Sequence, residues 1–136
     1  MKPSHQTMTH FYEHLGKVFY CLAAIDKTVR QEEVELLKQI IKTDWLPLEN
    51  SFNEFGDDTA YQIEIAFDWL VANKWDSSSV LADFEIFRKE HKSLFTAETN
   101  NLILKTANTI AISFAGKNKA EHVFVSRLGD ILLHDD

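Results

Sequence analysis

The sequence predicts an all-α domain, a compact bundle of about six to seven helices. Three observations carry that expectation. Apolar residues recur at spacings of three and four along most of the chain, the signature of one helical face. No stretch alternates apolar and polar residues in the manner of a half-buried strand. Four Gly and two Pro are too few for the many tight turns of a β-sandwich or barrel. With 136 residues the chain suits a single domain, 1–136, around one core, and residues 1–9 are expected to be a loose N-terminus.

Over residues 10–26, Phe11, Leu15, Val18, Leu22 and Ile25 fall on one helical face. Residues 31–45 repeat the pattern with Val34, Leu37 and Ile41, widened by Leu36 and Ile40, and Pro47 is expected to end that helix soon after Trp45. A polar stretch follows, and Asp57 or Asp58 is a candidate cap for a helix burying Ile63, Ala66, Phe67, Leu70 and Val71. "WDSSS" breaks the chain again, with Asp76 or a serine as cap, before a helix turning Leu81, Phe84, Phe87 and His91 inward. Thr96 opens a fifth helix with Ile103, Ala107, Ile110 and Phe114. Asn118 and Glu121 give a cap-like start to a last one bearing Phe124, Leu128 and Ile131. Residues 10–41 and 100–133 echo one another weakly: each is a long apolar helix, a short polar turn and an amphipathic helix with an early Glu.

Charge separates the middle of the chain from its ends. Residues 43–87 hold ten acids and one base, Lys74, so that this segment carries −9 of a net −7 and the flanks together carry +2. A nucleic-acid surface needs clustered Lys and Arg, so no nucleic acid is expected there; a basic partner protein or cations are. No apolar run approaches the ~18 to 20 residues of a membrane span, and MKPSHQTMTH lacks the apolar stretch of a secretory signal. The expectation is a cytoplasmic protein with no membrane span. The lone Cys21 excludes an internal disulfide and, in an apolar helical run, is expected to be a buried, inert thiol.

The turn between the first two helices, "AAIDKTVRQEEVELL", looks at first like the back half of a calcium loop. An EF-hand requires oxygen ligands at its first, third and fifth positions, Gly at the sixth and Glu at the twelfth. With Glu33 at the twelfth, Asp26 takes the fifth, but Leu22 and Ala24 take the first and third and Lys27 replaces the Gly. That cage cannot form. The residues Ala24, Asp26, Val29 and Glu33 instead resemble the motif of the tellurite-resistance TerB family, in which a helix ends in Ala-Asp-Gly and x-Val-Ser-x-x-Glu opens the next. Ile25 is inserted, and Lys27 and Arg30 depart from the Gly and the Ser. The family's second copy of the motif would fall near the C-terminus. Aligned on Glu121, it places Phe114 in the Asp slot; aligned on Ala115-Gly116, it places His122 in the Glu slot.

The resemblance implies an all-helical fold over nearly the whole chain and a non-enzymatic accessory in a stress or tellurite-resistance-type system, with acidic motif residues linked to divalent-metal binding. It carries only Asp26 and Glu33 over as candidate ligands, with Glu32 beside them; Glu121 is a further candidate, outside the motif, for the same calcium, manganese or zinc ion. The competing role is structural: an Asp holding backbone amides in the turn and a Glu suited to the positive end of a helix. Arg30 breaks the Ser–Glu capping box, and Thr28 with Gln31 offers a replacement two residues earlier. His10 and His14 share a helix face but lack a visible third ligand. No nucleophile elbow, phosphate loop or dinucleotide turn is present, so no enzyme is expected. Trp45, Trp69 and Trp75 are expected in the core, with Trp75 the candidate to be exposed as an anchor for a partner.

Overall fold

The computed structural model describes residues 4–25, 29–47, 60–75, 79–114 and 119–133. Six α-helices run α1 His5–Ala23, α2 Gln31–Ile40, α3 Tyr61–Ala72, α4 Val80–Glu90, α5 Ala97–Phe114 and α6 Lys119–Leu133, with no strand among the described residues. A π-helical segment, Ile41–Trp45, prolongs α2, and a short 3₁₀ turn, Lys92–Leu94, leads from α4 towards α5.

The first helix starts earlier than its apolar pattern does. Ser4 is extended, and its Oγ accepts the Thr7 amide at 3.0 Å, satisfying one of the orphan amides of the first turn. Met8 is already buried. Residues 5–9 are therefore helix, not a loose end: a serine cap three residues before Thr7 outweighs the polar composition. Thr96 plays the same part for α5, as its position predicted, accepting the Thr99 amide at 3.1 Å. Asp57, Asp58, Asp76 and Asn118 lie outside the described residues; Ser79 is the residue before α4, and its hydroxyl donates to Asp83 at 3.1 Å.

α1 is the central helix, packed chiefly along α3 and also against α4, α5 and α6. It consequently buries more than the one face its spacing predicted: Tyr12, Phe19, Tyr20 and Ala23 join Phe11, Leu15, Val18 and Leu22 in the core, and Ile25 is partly covered. Gly16 makes the α1–α3 crossing close. A Cβ there would stand 2.8 Å from Ala66 Cβ and 3.0 Å from the Ile63 carbonyl, so only a residue without a side chain fits.

Elsewhere the predicted stripes pack inward: Val34, Leu37, Ile40 and Ile41; Ile63, Phe67 and Leu70; Leu81, Phe84 and Phe87; Ile103, Ala107 and Ile110; and Leu128. At the far end of α6 the Leu132 carbonyl, an orphan of the last turn, accepts from Arg88 Nη2 at 3.1 Å and Asn100 Nδ2 at 3.4 Å. Those bonds tie α4 and α5 to α6. Cys21 is only partly buried, at the edge of the core. No helix among the described residues is long and apolar enough to cross a membrane.

Candidate functional site

Two regions carry chemistry that packing alone does not demand. The first is the end of the bundle where α2 begins. Arg30 is the residue before α2, and Glu33, third in the helix, turns back so that its Oε1 accepts the Arg30 amide at 3.0 Å. That is the glutamate half of a capping box; a guanidinium holds only donors, so the reciprocal half cannot come from the Arg30 side chain. Thr28, the predicted substitute, lies outside the described residues, while Gln31 bonds instead to Glu35 at 2.8 Å.

Glu33 lines a cleft of about 400 Å³ with Arg30, Glu32, Leu36 and Ser113. Ser113 stands at the C-terminal end of α5, so Glu33 sits where α5 hands over to α6. Glu121 is also the third residue of its helix, α6, and begins only a short connection after α5. The two pairs, α1–α2 and α5–α6, thus start their second helices alike. Glu33 is 3% exposed and Glu121 2%, and they are the buried charged side chains of the described core, whereas neighbouring Glu32 is exposed. Asp26 lies outside the described residues. Among the described residues no three His, Cys, Asp or Glu side chains gather at the spacing one metal ion needs.

Two histidines also meet one aromatic ring of the core, Phe87 of α4. His14 lies 4.6 Å from the Phe87 ring centre and His91 4.4 Å, so Phe87 joins a histidine of α1 to the one that directly follows α4. Burial lowers the His14 pKa below 6.5, with Lys17, His10 and His91 pushing the same way and Asp83 opposing them. The inward spacing of His91 was visible in the sequence; its meeting with His14 was not, because it depends on how α4 lies on α1.

The second region is the outer face of α3. Its inner face packs Ile63, Phe67 and Leu70, yet Ile65 and Trp69 stand 55% and 58% exposed, one helical turn apart. The expectation that Trp69 belongs to the core is corrected here. Trp69 is two residues beyond Phe67, about 200° around the helix and so on the opposite side. Trp75, expected in the core with an exposed anchor as the alternative, is half-buried against the core, 6.4 Å from the Tyr20 ring with Lys17 5.9 Å above it. Around the exposed pair lie Glu64 and Asp68, the latter 3.9 Å from Lys38 of α2. No protein-family model, curated protein or solved structure matches this chain.

Proposed function

We propose that this chain is a non-enzymatic, TerB-like accessory protein of the cytoplasm that works by docking a protein partner on the outer face of α3. The observation that carries this reading is the exposure of Trp69 beside Ile65 on a helix whose other face is already fully used. Tryptophan is the side chain most enriched at the energetic centres of protein interfaces, and a helix apolar on both sides has a second surface to satisfy. Replacing Trp69 by a photo-crosslinking phenylalanine analogue in living cells tests it, with Ile112, which is still more exposed, as control position. A discrete adduct at 69 and none at 112 is the expected result. No adduct at 69, or the same adducts at both, would sink the reading.

A second reading, a divalent-cation accessory, draws on the burial of Glu33 and Glu121 at matched helix starts. Carboxylate oxygens suit calcium and manganese. Calorimetric titration of chelator-stripped protein with calcium, manganese and zinc, beside Glu33→Gln/Glu121→Gln, tests it. Saturable binding lost in the variant supports a metal role; equal heats from both proteins leave the glutamates as helix caps.

A further inference from the structure

We propose that the segment docked on α3 is a basic amphipathic helix, which lays its apolar side over Ile65 and Trp69 and sets Lys or Arg against the surrounding acids. This inference rests on the docking reading above and adds the chemistry of the partner. Ile65 and Trp69, exposed at a spacing of four, match the pitch at which another helix presents its own anchors. The other large apolar side chains exposed among the described residues, Ile86, Ile112, Val123 and Leu133, do not pair in that way on one helix.

Charge selects between possible occupants. Residues 61–72 contain Glu64 and Asp68 and no Lys or Arg, and α3 has Glu64 in its first turn. In sequence, α3 is flanked on one side by residues 48–59, with Glu49, Glu54, Asp57 and Asp58 and no base, and on the other by the exposed Lys74 and then Asp76, so that acids outnumber bases around it. The Lys38–Asp68 contact, at 3.9 Å and largely solvated, neutralises little of this. A second copy of the chain would bring −7 to −7, acid against acid on the same face. An occupant with Lys and Arg flanking an apolar stripe gains attraction where a copy meets repulsion.

The test uses the intact protein and a fluorescein-labelled synthetic Leu/Lys peptide of about 14 residues, amphipathic as a helix, with a Leu/Glu peptide of the same pattern as control. Fluorescence anisotropy is recorded from about 50 mM to about 500 mM salt for the wild type, Trp69→Ser and Ile65→Ser/Trp69→Ser. Both sites are exposed, and circular dichroism checks that the variants stay helical. The expected result is that the Lys peptide binds the wild type, at least tenfold more weakly to the double variant, and more weakly as salt rises. Binding should also shift the Trp69 part of the emission to shorter wavelength.

Several results would overturn it. Undiminished binding to the double variant would move the basic partner to other acids, while a position-69 crosslink would still uphold docking on α3. Equal binding of the Glu peptide would remove the role of charge. Absence of Lys-peptide binding beside a position-69 crosslink would mean a partner of different chemistry. Sedimentation showing a dimer that the double variant loses would seat a second copy there. Trp69 emission already shielded in the free protein, and unshielded by Phe52→Ser/Phe55→Ser, would seat the chain's own residues 48–59 there.

Discussion

Asp-Trp-Leu occurs twice in this chain, at 44–46 and at 68–70, with opposite outcomes. Trp45 is wholly buried; its Nε1 donates to Thr106 at 3.1 Å, and the Tyr12 and Phe19 rings lie 6.3 and 6.4 Å away. Trp69 is mostly solvated, and in its tripeptide Leu70 takes the core instead. Both tripeptides are helical, so propensity does not separate them. Phase does. Trp45 follows the buried Ile41 by four residues and returns to the same face, whereas Trp69 follows the buried Phe67 by two and lands opposite. Apolar character says that a side chain gains from burial; its angle from the last anchor says whether burial is available.

Breaking the buried copy should have the largest effect. Trp45→Ala removes the ring that joins the π-helical segment to α1 and α5 and strands the Thr106 hydroxyl, which is itself buried. A loss of about 3–5 kcal/mol is expected, read as a lower urea midpoint. A stability within about 0.5 kcal/mol of wild type would mean that the ring is not enclosed as described.

Gly16→Ala comes next. The added methyl meets Ala66 Cβ and a backbone carbonyl, neither of which can rotate away, so α1 and α3 must part. Overpacking of this kind costs about 1–3 kcal/mol and outweighs the roughly 1 kcal/mol gained in helix propensity. Because α3 carries Trp69 on its far side, Gly16→Ala also shows whether that face depends on the crossing beneath it.

Much of the fold was legible, because six apolar stripes repeat at the helical period and the cap Thr96 stands where turn chemistry wants it. The start of α1 was not legible in apolar spacing; it is set by Ser4, whose hydroxyl substitutes for the missing turn. Glu33 stands out in the sequence through its motif resemblance and Glu121 through its place early in a helix, but neither signal shows that both are buried or that Ser113 lies beside Glu33. Size alone assigns Trp69 to the core, whereas its phase in "IAFDWLVA" points it outward.

Titration sharpens the comparison at a side chain that is neither buried nor free. The folded pKa of His14 lies below the 6.5 of the unfolded chain, so between those values the unfolded state binds more protons and stability rises with pH. The contribution is complete above about 6.5 and lost as pH falls from there through the folded value. Urea midpoints should drop from pH 7 to pH 5, and less so in His14→Gln. An unchanged drop would assign the acid response to other groups.

At the end of α3 a gain is expected. The Trp75 amide bonds the Leu70 carbonyl at 3.1 Å and the Lys74 amide the Val71 carbonyl at 3.3 Å, closing the helix as a Schellman turn. The turn needs a left-handed residue, and Lys74 supplies it at φ 48° where glycine is favoured. Lys74→Gly should raise stability by about 1 kcal/mol, measured by denaturant unfolding, by removing that conformational cost. A loss instead would show that the lysine side chain contributes contacts exceeding the backbone relief.

Trp69→Ser should have the smallest effect on folding and is the sharpest counterpart to Trp45→Ala. Most of the ring is already in water, so unfolding free energy should fall by no more than about 1 kcal/mol, far less than for Trp45→Ala. The Asn73 side chain bonds the Trp69 carbonyl at 2.8 Å, a contact that the substitution keeps. If stability falls no further than that and docking is lost, the two tryptophans divide cleanly between folding and binding. If instead Trp69→Ser destabilises as Trp45→Ala does, the outer face of α3 is covered in solution, and the exposure from which a partner is inferred disappears with it.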